Sequence, residues 1–102
     1  MRVVIADDST LLREGLARLL TESGCEVVGK ARDAAQLLAQ ILTKPDVAVV
    51  DIRMPPTYTD EGIVAAQEIR RTHPSVGVLV HSHHLESQYA LRLIGEVPER
   101  VG

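Results

Sequence analysis

Short apolar runs alternate along this chain with longer segments in which apolar residues recur every three or four positions. The runs are rich in β-branched residues and short enough to be single strands. They predict strands at residues 3–6, 25–31, 47–50 and 76–80.

The longer segments have the periodicity of amphipathic helices. Their apolar faces are, in order, Leu12, Leu16, Leu19 and Leu20; Ala34, Leu37, Leu38, Ile41 and Leu42; Gly62, Ala65, Ala66 and Ile69; and Leu85, Tyr89 and Leu93. Gly24, Pro45 and Pro74 follow the first three helices, at positions where a helix commonly ends. Strands that alternate with helices predict an α/β fold, a doubly wound parallel sheet covered on both faces.

Polar residues stand at the carboxyl ends of these strands, where open parallel sheets bind their ligands. Asp7 and Asp8 follow the first strand, Asp51 closes the third and Ser82 closes the fourth. Three carboxylates at one edge repel one another unless a cation lies among them. Mg²⁺ suits such a cluster, because it binds one or two carboxylates, keeps several waters and accepts a phosphoryl oxygen. The sequence therefore predicts a magnesium site.

Helix capping is the competing explanation for the acids, since Asp is a common N-cap residue and Asp7 or Asp8 precedes the first helix. Capping accounts for one acid, but not for a second beside it or for Asp51 after another strand. No P-loop or G-x-G-x-x-G motif follows any strand, which argues against the common nucleotide-binding sites.

Composition and charge narrow the classes of function. A chain of 102 residues has the size of one domain. A net charge of -3 and the lack of Phe and Trp argue against a nucleic-acid surface. The single cysteine, Cys25, excludes an intrachain disulfide. The first strand begins right after Met1, so no signal peptide or membrane segment is expected and a cytoplasmic location is predicted.

Taken together, these features resemble the receiver domains of two-component response regulators, particularly those usually linked to a C-terminal helix-turn-helix. The matching segments are residues 2–10 (RVVIADDST), 13–16 (REGL), 44–56 (KPDVAVVDIRMPP) and 59–62 (TDEG). The resemblance covers essentially the whole chain. It implies the flavodoxin-like receiver fold. We expect residues 1–102 to form one receiver domain that is incomplete at its C-terminus, without an output domain.

The resemblance also implies a role for each candidate residue. Asp51 would be the phosphoacceptor, taking a phosphoryl group from a sensor histidine kinase. Asp8 and Asp51 would bind Mg²⁺ through their carboxylates, Asp7 through water and Arg53 through its backbone carbonyl. The Ser82 hydroxyl would donate to a phosphoryl oxygen and so sense phosphorylation.

The chain departs from the family pattern in two places, and the first is its C-terminal end. A receiver normally continues into a fifth strand, whose Lys pairs with the phosphoryl group, and a fifth helix. The chain's lysines, Lys30 and Lys44, are not placed for this role, so a truncated receiver with four βα units and impaired chemistry is expected. The fourth strand would then be an unpaired apolar edge, which predicts a homodimer or a swapped oligomer.

The second unusual feature is the run of His81, His83 and His84 around Ser82. It could suggest a zinc or nickel site. However, residues 81 and 82 of a strand face opposite sides, and Glu86 is the only acid nearby in the sequence. We therefore expect His81 to pack against the sheet, and His83 and His84 to line the mouth of the site.

Three functions remain open from the sequence. The first is a regulatory phosphoacceptor domain that is not an enzyme. The second is a pseudo-receiver fragment that acts only in protein association. The third is a magnesium-dependent phosphatase with an Asp nucleophile, which needs a second acid where Arg53 stands.

Overall fold

A single sheet organises the protein, with strands in the order β2-β1-β3-β4-β5. The structure, a computed structural model, describes residues 1–82 and the backbone of residues 92–93. The strands are β1 (Arg2–Ala6), β2 (Glu26–Ala31), β3 (Val47–Asp51), β4 (Gly77–His81) and β5 (Arg92–Leu93). The first four pair in parallel, and β5 runs antiparallel to β4. The predicted parallel α/β sheet is confirmed, and the order of its first four strands is flavodoxin-like.

Helices connect the parallel strands and begin and end where local sequence signals predict. They are α1 (Thr10–Glu22), α2 (Ala34–Gln40) and α3 (Glu61–Thr72), and a 3-10 turn (Ile41–Thr43) extends α2. Ser9 and Asp33 cap α1 and α2 by accepting hydrogen bonds from backbone amides of the first turn. After α1, Gly24 adopts a φ of 95°, which few other residues tolerate, and lets the chain turn into β2. No helix in the described residues is long and apolar enough to cross a membrane.

Helices cover both faces of the sheet. On one face, α2 and α3 pack against side chains such as Val4, Val50 and Val80. On the other face, α1 packs through Ala17 against Val3 and Ile5. Because strand residues alternate between faces, the same strands supply both cores.

The predicted helix faces are confirmed for α3 and need one correction each in α1 and α2. All four residues of the small face of α3 are buried. Leu19 of α1 is 62% exposed, because the face that meets the sheet is formed by Leu16, Ala17 and Leu20. Leu42 is 71% exposed, because the chain tightens there into a 3-10 turn of three residues per turn and rotates Leu42 outward.

The predictions for the end of the chain are partly wrong. Leu93 was assigned to a fourth helix but lies in β5, and Leu85 and Tyr89 lie outside the described residues. β5 pairs with Leu79 and Val80, so the edge of β4 is not unpaired at these two residues. The open amides and carbonyls of an edge strand favour such pairing over a helical continuation.

Candidate functional site

Three side chains meet at the carboxyl ends of β1, β3 and β4. Asp7 follows β1, Asp51 ends β3 and His81 ends β4. Residues 51 and 81 are partners in the parallel register of β3 and β4. One potential ligand atom from each side chain lies within 4.8 Å of the other two. Both carboxylates are fully buried, and the His81 side chain is 12% exposed.

Asp7 joins the start of α1 to this group. Its Oδ1 accepts a hydrogen bond from the backbone amide of Ser9 at 2.8 Å, and its Oδ2 lies 3.8 Å from Nε2 of His81. The side chain of Arg13 donates to the backbone carbonyl of Asp7 at 2.8 Å and holds the turn from the other side. Ser9, rather than either aspartate, caps α1. Helix capping therefore does not explain the buried carboxylate of Asp7.

The end of β3 is fixed by close contacts with its neighbours. The backbone amide of Ile52 donates to the carbonyl of His81 at 2.9 Å, and the amide of Gly62 donates to the carbonyl of Ile52 at 2.8 Å. A Cβ at Gly62 would overlap the backbone carbonyl oxygen of Asp51. Only glycine lets α3 approach this closely, so Gly62 helps to set the position of Asp51.

The loop between β3 and α3 is organised around Glu61. Its carboxylate accepts hydrogen bonds from the backbone amides of Thr57 at 2.8 Å and Thr59 at 3.1 Å, and from the hydroxyl of Thr57. The Thr57 hydroxyl is the main reason that the pKa of Glu61 falls from its usual 4.5 to about 2. Met54 anchors the other end of the loop, because it is fully buried and its carbonyl accepts from the amide of Tyr58.

The other predicted site residues lie around this group. Asp8 is partly buried and its carboxylate is not among the three ligand atoms that lie within 4.8 Å of one another. The backbone amide of Arg53 lies 3.4 Å from Oδ1 of Asp51. Ser82 directly follows β4 and is partly buried. His83 and His84 lie outside the described residues.

The chemistry of the donors fits a divalent cation. Buried carboxylates are costly unless paired, hydrogen-bonded or bound to a metal ion, and here two lie side by side. Oxygen donors of this kind are the ligands that Mg²⁺ prefers. The two carboxylates therefore fit the ion that the sequence predicted.

The comparison with known proteins agrees with this arrangement. A family model described as the response regulator receiver domain matches residues 3–97. The chain belongs to this family. The receiver domain of NarL from Mycobacterium tuberculosis superimposes with a TM-score of 0.72 at 42% identity, covering 81% of this chain and 66% of that one.

Curated relatives of this receiver domain are response regulators. The oxygen regulatory protein NreC of Staphylococcus haemolyticus is 29% identical, over 92% of this chain and 43% of that protein. The transcriptional regulatory protein PdtaR of M. tuberculosis is 46% identical, over 67% of this chain and 32% of that protein. The chain thus spans less than half the length of either relative. Receiver domains are regulatory phosphoacceptors that bind Mg²⁺ at an acidic pocket and interact with histidine kinases.

His81 lies in the acidic site and not in the packing of the sheet, where its sequence position predicts it. We expected no acidic partner for it apart from Glu86, yet Asp7 and Asp51 lie beside it. The reason is the strand register, which sets His81 opposite Asp51 although they are far apart in sequence. The sequence does contain one signal for this placement. His81 is an ionisable residue at the end of the strand that follows the predicted acceptor strand.

Proposed function

We propose that this chain accepts a phosphoryl group on Asp51, with Mg²⁺ as the cofactor. The single observation that supports this most strongly is the fully buried carboxylate of Asp51 at the end of the central strand β3, beside that of Asp7. Asp8 and Asp51 would bind the ion through carboxylate oxygens and Arg53 through its backbone carbonyl. Asp7 would assist through water.

The donor in this proposal is a phosphohistidine of a sensor histidine kinase. A carboxylate oxygen of Asp51 attacks the phosphorus, the bond between phosphorus and the histidine nitrogen breaks, and the phosphoryl group ends as an acyl phosphate on Asp51. The ion, when bound, neutralises negative charge on the transferring oxygens. The hydroxyl of Ser82, one residue beyond β4, donates to a phosphoryl oxygen and links the reaction to β4.

A purely associative function is less well supported by the site. Burying two neighbouring carboxylates costs free energy that an interaction scaffold has no reason to spend. The domain is regulatory rather than an enzyme in this proposal, because the phosphoryl group stays on the protein.

Assembly and location complete the proposal. We propose a cytoplasmic homodimer that does not bind nucleic acid through these residues. The net charge of -3 argues against phosphate-backbone binding. Self-association is supported by the edge of β4, where β5 pairs with Leu79 and Val80 and, among the residues that the structure describes, none pairs with Gly77 or Val78 on that side.

Acetyl phosphate with Mg²⁺ provides the test of the acceptor. Intact mass spectrometry should show the addition of one phosphoryl group to the wild-type chain and none to an Asp51→Asn variant. Asp33→Asn is the matched control, because Asp33 is a partly buried cap of α2 and asparagine caps equally well. The control should be labelled like the wild type. Unchanged labelling of the Asp51→Asn variant would exclude Asp51 as the acceptor.

A further inference from the structure

The imidazole of His81 faces the two buried carboxylates. Its Nε2 is inaccessible to solvent and makes no hydrogen bond within the part of the chain that the structure describes. Oδ2 of Asp7 lies 3.8 Å from this Nε2, beyond the usual range for a hydrogen bond. A buried polar atom of this kind is uncommon in a folded protein and calls for a specific explanation.

The spacing of the three side chains suits a shared metal ion. Two ligands that bind one ion at about 2.1 Å with near-tetrahedral angles lie about 3.4 Å apart. The Asp7–His81 distance of 3.8 Å and the 4.8 Å limit for the whole group are slightly wider than this. The three ligand atoms therefore lie close to the spacing that one shared ion would require.

The donor set differs from that of a magnesium site. Mg²⁺ takes oxygen ligands almost exclusively, whereas imidazole nitrogen favours first-row transition metals. We propose that Asp7, Asp51 and His81 form a binding site for a divalent transition-metal ion, distinct in its ligands from the magnesium site of the proposed function. This inference rests on the proposed function to the extent that Asp7 and Asp51 are shared between the two sites.

The alternative is an ion pair between a protonated His81 and Asp7. An ion pair would satisfy the imidazole without any metal and would leave the metal preference of the site to the carboxylates alone. The two possibilities differ in one direct observable. Only the metal site places a nitrogen atom of His81 in the coordination shell of a bound ion.

Mn²⁺ and Co²⁺ serve as the probes. Electron spin echo spectroscopy of the Mn²⁺-loaded protein should detect coupling to a histidine ¹⁴N nucleus in the wild type and none in a His81→Leu variant. Calorimetric titration should show that the ratio of Co²⁺ to Mg²⁺ affinity falls by about 10-fold or more in the variant. His73→Leu is the matched control, because His73 lies at the end of α3, away from the carboxylates, and both properties should persist in it.

His81→Gln repeats the test with a polar side chain in case the leucine variant folds poorly. A ¹⁴N coupling that survives in either folded variant, or an unchanged affinity ratio, would overturn the inference. Mg²⁺-dependent labelling of Asp51 tests the proposed function separately. Labelling without a His81-dependent coupling refutes only the metal site, and the coupling without labelling refutes only the acceptor.

Discussion

Gly62 is the position at which one added methyl group should be most informative. In a Gly62→Ala variant, the new Cβ would overlap the backbone carbonyl oxygen of Asp51, and the next nearest atoms are also backbone atoms of β3 and the residue after it. Backbone cannot move aside as a flexible side chain does. The helix α3 must therefore shift away from the end of β3.

The magnitude follows from the contacts that are lost or strained. Overpacking of this kind costs about 1–3 kcal/mol. The hydrogen bond from the amide of Gly62 to the carbonyl of Ile52 contributes about 1 kcal/mol more if it breaks. The higher helix propensity of alanine returns at most about 1 kcal/mol. The net expectation is a loss of about 1–3 kcal/mol in the free energy of unfolding.

The same substitution at Gly15 is a matched control, for which the expected change in the free energy of unfolding has the opposite sign. Gly15 lies on the exposed side of α1, and a Cβ there would meet no atom within 4 Å. Gly15→Ala should stabilise the protein by up to about 1 kcal/mol. Urea unfolding of the three proteins, with equal slopes, measures both changes.

A Gly62→Ala protein as stable as the wild type would refute this account of the contact between α3 and β3. Slower phosphorylation of Asp51 in that variant, but not in Gly15→Ala, should accompany the loss of stability. Equal labelling rates in both variants would show that α3 does not help to position the acceptor.

Two further predictions concern the loop before α3 and the edge of the sheet. The folded pKa of Glu61 is depressed to about 2, so its stabilising effect is present above its usual pKa of 4.5 and is lost as the pH falls toward about 2. The stability difference between wild type and Glu61→Gln in urea should shrink across that range, and a constant difference would contradict the assignment. At the edge, light scattering over a concentration series should show self-association of the wild type and less of it for Gly77→Lys, because a Cβ at Gly77 makes only ordinary contacts and edge lysines discourage strand pairing. A wild-type monomer at every concentration would rule out the homodimer.

The sequence predicted those parts of the fold in which several local signals agree. The α3 face is a clear case, because Gly62, Ala65, Ala66 and Ile69 have the right period and Pro74 follows the helix. The same agreement placed the four parallel strands within one or two residues of their observed bounds. The predicted convergence of Asp7 and Asp51 is likewise present, since both follow from where parallel strands end.

Other features depend on contacts that no local pattern encodes. Leu42 fits the helical period, but the helix tightens into a 3-10 turn before it. Leu93 also fits a helical period, yet it pairs with β4, and the sequence pattern does not reveal that β4 lies beside it. The partnership of His81 with Asp51 depends on the register of β3 and β4. A shift of one residue would have turned His81 to the other face, so its place in the site could not be predicted without the sheet.

The two oxygens of Asp7 have a further consequence. Oδ1 accepts a hydrogen bond from the backbone amide of Ser9, the N-cap of α1. Oδ2 faces His81 on β4. An ion that binds to this carboxylate is therefore coupled to the first turn of α1 as well. Thermodynamic linkage makes the effect reciprocal, so a protein that binds α1 and alters that turn must change the affinity for the ion by the same factor. Binding of the ion and binding of a partner at α1 are then thermodynamically coupled.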